Sequence, residues 1–137
     1  MRVVLDTNVL LSACLKPDGL EARTVQLALE GALEPCATAA VWAEYRDVLL
    51  REKFAAFRER AESVLGAMDA RVVRVSDGAT VAVASDEDDN RFLECAVSAG
   101  AAYLITGNLR HYPAEYGGAR VVNARGFFTI CEELAIR

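Results

Sequence analysis

Three groups of acidic side chains stand out by where they fall. Asp6 closes the apolar run Val3-Val4-Leu5, Glu44 lies inside an apolar helical pattern, and Asp86, Glu87, Asp88 and Asp89 are consecutive just ahead of another such pattern. One or two acids at a helix start are stabilised by its dipole, at about 0.3–1 kcal/mol each. Four exceed what capping requires. Two carboxylates 4 Å apart repel by about 4 kcal/mol at an effective dielectric of 20, so acids that converge need a cation between them or must stay apart in water. A hard cation such as Mg²⁺ suits them, because it takes carboxylate oxygens, waters and phosphate oxygens together. Each group also has an ordinary use. Asp6-Thr7-Asn8 equally makes a helix cap, and Glu44, at the border of its apolar stripe, can reach solvent. A further polar set, Thr106-Gly107-Asn108, follows the apolar Leu104-Ile105. It could bind waters around a metal or a phosphate, or simply make a turn.

Other chemistries have little support. The four cysteines (Cys14, Cys36, Cys95, Cys131) are widely spaced without a CxxC pair, and His111 is the only histidine. Zinc sites need closely spaced thiolates or imidazoles, so the cysteines read as buried reduced thiols. The same scarcity leaves no Ser–His or Cys–His pair for nucleophilic catalysis. No apolar run approaches the roughly 20 residues that span a bilayer, and MRVVLDTN reaches an acid too early for a signal peptide; the expected location is the cytoplasm. The net charge of −5 gives no bulk attraction for nucleic acid. Basic residues nevertheless gather in 46–60, where Arg46, Arg51 and Lys53 are candidates for phosphate contacts or a solvated helix face.

The elements that would position these residues alternate. Strands are expected at 2–6, 33–37, 71–75, 103–106 and 120–123. Helices are expected to begin within TNVLLSACL after its two polar residues, over 20–29, 39–50 capped by Thr38, about 54–68, 88 or 89 to 99, and 124–134. Pro17-Asp18-Gly19 marks a turn, 76–89 a loop with a possible extended piece at 80–83, and 107–118 an irregular segment. Over half of the residues are apolar in a chain of 137, enough to bury one core. The pattern predicts a single α/β domain with a parallel sheet covered on both faces. In such a sheet, sites form at the carboxyl ends of strands near the reversal of strand order, where Asp6 and Thr106 fall.

With these segments in place, the chain resembles the PIN-domain ribonucleases, particularly the toxin components of bacterial toxin–antitoxin pairs. The likeness spans nearly the whole chain. It is carried by VVLDTNVLLSA (3–13), AAVWAEYRDVL (39–49), SDEDDNRFLECAVSAGAAYLITGN (85–108) and RVVNARGF (120–127). The D-T-N start is short. The helix D-D-x-x-F-L-E-C-A followed by Y-L-I-T-G-N is the specific part. The resemblance implies a three-layer α/β/α fold with a five-stranded parallel sheet in the order 3-2-1-4-5. It implies a pocket where Asp6, Glu44 and Asp89 meet around Mg²⁺ or Mn²⁺, with Asn8, Thr106, Asn108 and Asp86 in support. It also implies an RNA substrate, a small antitoxin that masks the pocket, and a homodimer. The sequence departs from the four-acid pattern at Asn108 and near His111, where many relatives carry an aspartate, so one metal or two stays open.

The implied reaction is metal-assisted phosphodiester hydrolysis. Two rivals stand beside it. A receiver-like phosphoacceptor at Asp6 would want an acid pair beside it and a lysine after a late strand, and the late strand ends offer Thr106 and Asn123. An inactive PIN-like RNA-binding or interaction module fits the missing fourth acid.

Overall fold

The computed structural model describes residues 1–78, 80–84 and 86–136, with the side chains of 135 and 136 left aside. Ala79 and Ser85, both in the predicted 76–89 loop and the latter opening the quoted acidic motif, lie outside the described residues.

Strand β1 (Arg2–Leu5) pairs in parallel with β2 (Glu34–Ala37) on one side and β4 (Tyr103–Ile105) on the other. Outside β2 lies β3 (Val73–Arg74), and outside β4 lies β6 (Ala119–Val122), both parallel. Five parallel strands therefore run in the predicted order, with β1 at the centre. β1 reads as a continuous apolar run because it is buried on both faces. Val3, Val4 and Leu5 are all fully buried.

The connections are helices: α1 (Thr7–Leu15) and α2 (Leu20–Leu29) between β1 and β2, α3 (Ala39–Leu49) and α4 (Arg58–Arg71) between β2 and β3, and α5 (Asn90–Ala99) before β4. A last helix, α6 (Ala124–Ile136), follows β6. The first crossovers step away from β1 in one direction and the crossover through α5 returns past it. Right-handed crossovers then put α5 on the face opposite the earlier helices. The three-layer architecture follows.

Four details depart from expectation. The sheet has a sixth strand, β5 (Glu115–Tyr116), antiparallel to β6, within the segment read as irregular. Its cause is the two-residue loop Gly117-Gly118, with φ of 57° and 88°, the left-handed backbone that a tight hairpin turn requires and glycine supplies. The third strand is two residues, not five, because α4 continues to Arg71 before Val72 turns extended. The helix expected from 54 begins at Arg58, after a 3-10 stretch Glu52–Phe57 that kinks at Phe54. The piece at 80–83 is not a strand; Glu94 Oε2 accepts from the Val81 N–H at 2.9 Å, and Asn90 Oδ1 accepts from the Val83 and Ala84 N–H groups at 3.1 and 2.8 Å.

Thr38 caps α3 as expected, its hydroxyl accepting from Val41 N–H at 3.1 Å. Cys14, Cys36 and Cys95 are buried among apolar neighbours and all four thiols are free. Among the described residues no helix is long and apolar enough to cross a membrane.

Candidate functional site

β1 and β4 are neighbours, yet the chain leaves them toward different halves of the sheet, so their carboxyl ends flank the reversal of strand order. The ladder carries on one residue past each: Asp6 N–H donates to Ile105 O and Thr106 N–H to Val122 O, both at 2.9 Å. Backbone pairing thus sets Asp6 and Thr106 side by side. The Thr106 hydroxyl donates to Asp6 Oδ2 at 2.8 Å, and the Tyr112 hydroxyl donates to the same oxygen at 2.9 Å. Asp6 is only 5% exposed. Burial raises its carboxyl above the ordinary range, against the opposing pull of the Thr106 and Tyr112 hydroxyls and the Asn8 and Thr7 N–H groups. The donors favour the charged form and desolvation outweighs them.

The turn after β4 is tied to the same cluster. Asn8 Oδ1 accepts from Gly107 N–H at 2.9 Å, and Thr106 Oγ1 accepts from Asn108 N–H at 3.0 Å. Since Thr106 spends its proton on Asp6, these bonds fix both of its roles. Asn108 contributes its backbone here. A 3-10 turn, Leu109–His111, then brings His111 Nδ1 to 3.0 Å from Asp89 Oδ2.

The four consecutive acids divide by task. Asp86 caps the 3-10 turn Glu87–Asp89 by accepting from Asp88 N–H at 3.0 Å. Glu87 pairs with Arg91 at 2.9 Å and accepts from Asn90 Nδ2 at 3.1 Å. Asp88 is exposed. Asp89 alone turns inward: its side chain is 15% exposed, and its carboxyl is raised by burial and then by the negative charge of Asp6, with the His111 bond opposing.

Glu44 approaches from α3. The neighbouring Tyr45 is buried and its hydroxyl donates to Leu5 O, which fastens the helix beside the end of β1. Glu44 is half-buried, and its carboxyl is raised by burial, by Asp88 and Asp47, and by Asp6, with Arg51 opposing. Asp6, Glu44 and Asp89 therefore share one electrostatic neighbourhood. Among the described residues, however, no three His, Cys, Asp or Glu side chains form a ready metal-ligand group. The donor set fits a hard divalent cation by chemistry: all oxygen, anionic, each member made harder to ionise by burial, and Glu44 and Asp89 also by the charge of Asp6.

Of the basic candidates, Arg51, just past the end of α3, pairs with Asp47 on that helix at 2.9 Å, and Lys53 lies 5.2 Å over the Phe54 ring. Arg46 is exposed and lines a cavity of about 350 Å³ with Trp42, Glu62 and Asp69. Sequence reasoning missed Tyr112 and the bond from His111, a residue it placed in the irregular 107–118 segment. The available signal was a tyrosine among loop residues, whose hydroxyl needs a partner once its ring is buried. It also missed Asn90, 1% exposed, whose amide secures both Ala84 and Glu87.

The family model described as "PIN domain" matches residues 2–110. The uncharacterized protein MJ1680 of Methanocaldococcus jannaschii is 28% identical over 111 residues, 79% of this chain and 71% of that one. Among solved structures, the chain is similar in fold to VapBC2 from Rickettsia felis bound to a promoter DNA fragment, with a TM-score of 0.61, 16% identity, and 90% and 98% of the two chains covered. DNA-bound VapBC from Salmonella typhimurium matches at a TM-score of 0.62 and 16% identity, over 90% and 98%. FitAB bound to the IR36 DNA fragment matches at 0.56 and 21%, over 89% and 94%.

Proposed function

Given that the chain belongs to the PIN-domain family, we propose that it is a metal-dependent endoribonuclease acting as the toxin of a toxin–antitoxin pair. What supports this reading is the buried Asp6 at the carboxyl end of β1, whose negative charge helps to raise the carboxyls of Glu44 and Asp89, two acids from distant segments. A Mg²⁺ or Mn²⁺ ion held by these three would supply an acidified water and offset charge building on the phosphate. The chain's own residues do the positioning. Thr106 and Tyr112 hold one oxygen of Asp6 and, among the described residues, leave the other clear of side-chain hydrogen bonds. His111 orients Asp89, and Asn8 with Thr106 keeps the 107–108 turn closed over the strand ends. Asp86 supports the acidic turn from its cap, and Asn108 brings an amide where many relatives carry a fourth acid. A cytoplasmic location, a small antitoxin masking the pocket and a homodimer belong to this reading; the likeness to VapBC and FitAB complexes supports the antitoxin.

A second reading, a PIN-like module that binds without cutting, is favoured by the lack of a ready three-ligand group among the described residues. One experiment separates them. The purified chain is incubated with RNA and Mn²⁺, with Mg²⁺, or with chelator, beside an Asp6→Asn variant of unchanged melting behaviour. The enzyme reading expects metal-dependent cleavage lost in the variant. Equal cleavage by a folded Asp6→Asn protein removes Asp6 from the mechanism, and no cleavage or Mn²⁺ binding by the wild type supports the module.

A further inference from the structure

Three surface cavities join into one groove beside the carboxylates. The first, about 440 Å³, is lined by Gly107, Asn108, Leu109, Arg110, His111 and Asn123. The second, about 330 Å³, shares Gly107 and Asn123 with it and adds Leu20, Glu21 and Arg125. The third, about 190 Å³, shares Leu20 and Arg125 with the second and adds Arg23, Phe128 and Glu132. The head of the groove is bonded to the acids: His111 to Asp89, and Asn108 N–H to the Thr106 hydroxyl that holds Asp6.

Its charge runs against that of the whole chain. Arg23, Arg110 and Arg125 face Glu21 and Glu132, a net positive lining on a chain of net charge −5. Among the described residues Arg110 and Arg125 have no ion pair, as Arg23 and Arg46 also have none, whereas Arg51, Arg58, Arg74 and Arg91 all have carboxylate partners. At the far end the Arg23 guanidinium lies 4.9 Å over the Phe128 ring, which presents a planar cation and an aromatic together. Unpaired arginines spaced along a groove suit phosphates. An arginine–aromatic platform suits an unstacked base.

Resting on the ribonuclease reading above, we propose that single-stranded RNA leaves the carboxylate site along this groove, with phosphates on Arg110 and Arg125 and a base on the Arg23–Phe128 platform. The path runs over the β4–β6 side of the sheet and the start of α6, away from the α3 side where Arg46 and Arg51 lie. An exposed arginine pair can be removed without touching the carboxylates or the core.

The test measures binding of a fluorescent single-stranded RNA in chelator across a salt series, with cleavage in Mn²⁺ assayed separately. Arg110→Ala with Arg125→Ala should weaken binding by about tenfold or more and lower the salt slope by about 1.4, the share of two phosphate contacts on a single strand. Phe128→Leu, which keeps apolar packing against Phe127, should weaken it by about fivefold through lost stacking. The charge-matched control Arg71→Ala with Arg120→Ala, exposed residues at the amino end of the strands and so opposite the groove, should bind as wild type. Arg46→Ala with Arg51→Ala should lose less than the groove pair. The groove is overturned if its arginine pair loses no more than the control, if the α3 pair loses more, or if DNA of the same sequence binds more tightly than RNA. A wild type that cuts RNA while the groove variant binds and cuts equally well keeps the ribonuclease reading and removes the groove. Binding that is groove-dependent without cleavage does the reverse, and a wild type that neither binds nor cuts removes both.

Discussion

Asp6 cannot rotate without giving up two hydroxyl donors, whereas Glu44, at the same end of the sheet, has no hydrogen bond among the described residues. Asp89 is intermediate, held through one bond to a half-exposed histidine. The contrast follows from the supports. Asp6 and Thr106 extend paired strands, so the backbone ladder fixes their separation. Glu44 rides on a helix face and Asp89 on a 3-10 turn, where a side-chain rotation changes the geometry. In the proposed site, one half is preorganised and the other would have freedom to close on an ion.

Several changes would break or sharpen this contrast. Asp6→Asn should have the largest effect, lowering RNA cleavage by roughly 10³-fold, the upper range for losing one charge-stabilising group in a site. Its melting temperature near neutral pH should hold or rise, because a buried charge is removed. Unfolding of this variant would make Asp6 structural instead.

Tyr112→Phe comes next. It withdraws one donor from a buried carboxylate, so stability should fall by about 1–3 kcal/mol, and metal affinity by about 10–100-fold as for other supporting groups around a metal. Calorimetry with Mn²⁺ and denaturant melts read the two effects. A change in neither would show that Thr106 alone holds Asp6.

Glu44→Gln should act more mildly if Glu44 closes only on the ion: about tenfold weaker Mn²⁺ binding, with slightly higher stability in chelator. A loss as large as that of Asp6→Asn would end the distinction between fixed and mobile halves.

The smallest effect is on pH dependence. The carboxyls of Asp6, Glu44 and Asp89 are all raised above their ordinary values of 3.8, 4.5 and 3.8. Each holds its proton more tightly folded than unfolded, so their contribution to stability falls as pH rises from those values through the folded ones. In chelator the melting temperature of Asp6→Asn relative to wild type should therefore rise as the pH goes up from those ordinary values, and added Mn²⁺ should offset that rise. A wild-type slope identical to that of the variant would detach Asp6 from the effect.

The architecture was legible because local pattern carries it. A β-branched apolar run reads as a buried strand, as at Val3-Val4-Leu5, and periodic apolar positions read as helices, as at Val41, Tyr45, Val48 and Leu49. Alternation of the two then dictates a parallel sheet, and the acid after the first strand marks its carboxyl end. The β5–β6 hairpin was legible too, in Gly117-Gly118, though the segment read as irregular.

What the sequence determined by local pattern was the parallel sheet and which residue types stand at its carboxyl edge, and the family resemblance added the strand order; hydrophobic periodicity and turn chemistry are local and survive without tertiary context. Tertiary structure decided how those residues are engaged. Packing turned Asp89, which the family resemblance had picked from four adjacent acids, inward to His111, brought Tyr112 onto Asp6 across 106 positions, and among the described residues left Arg110 without an ion pair while Arg51 has one. Hydrogen bonds and charge–charge coupling depend on distance in space, which one-dimensional spacing does not encode once the chain has crossed the sheet.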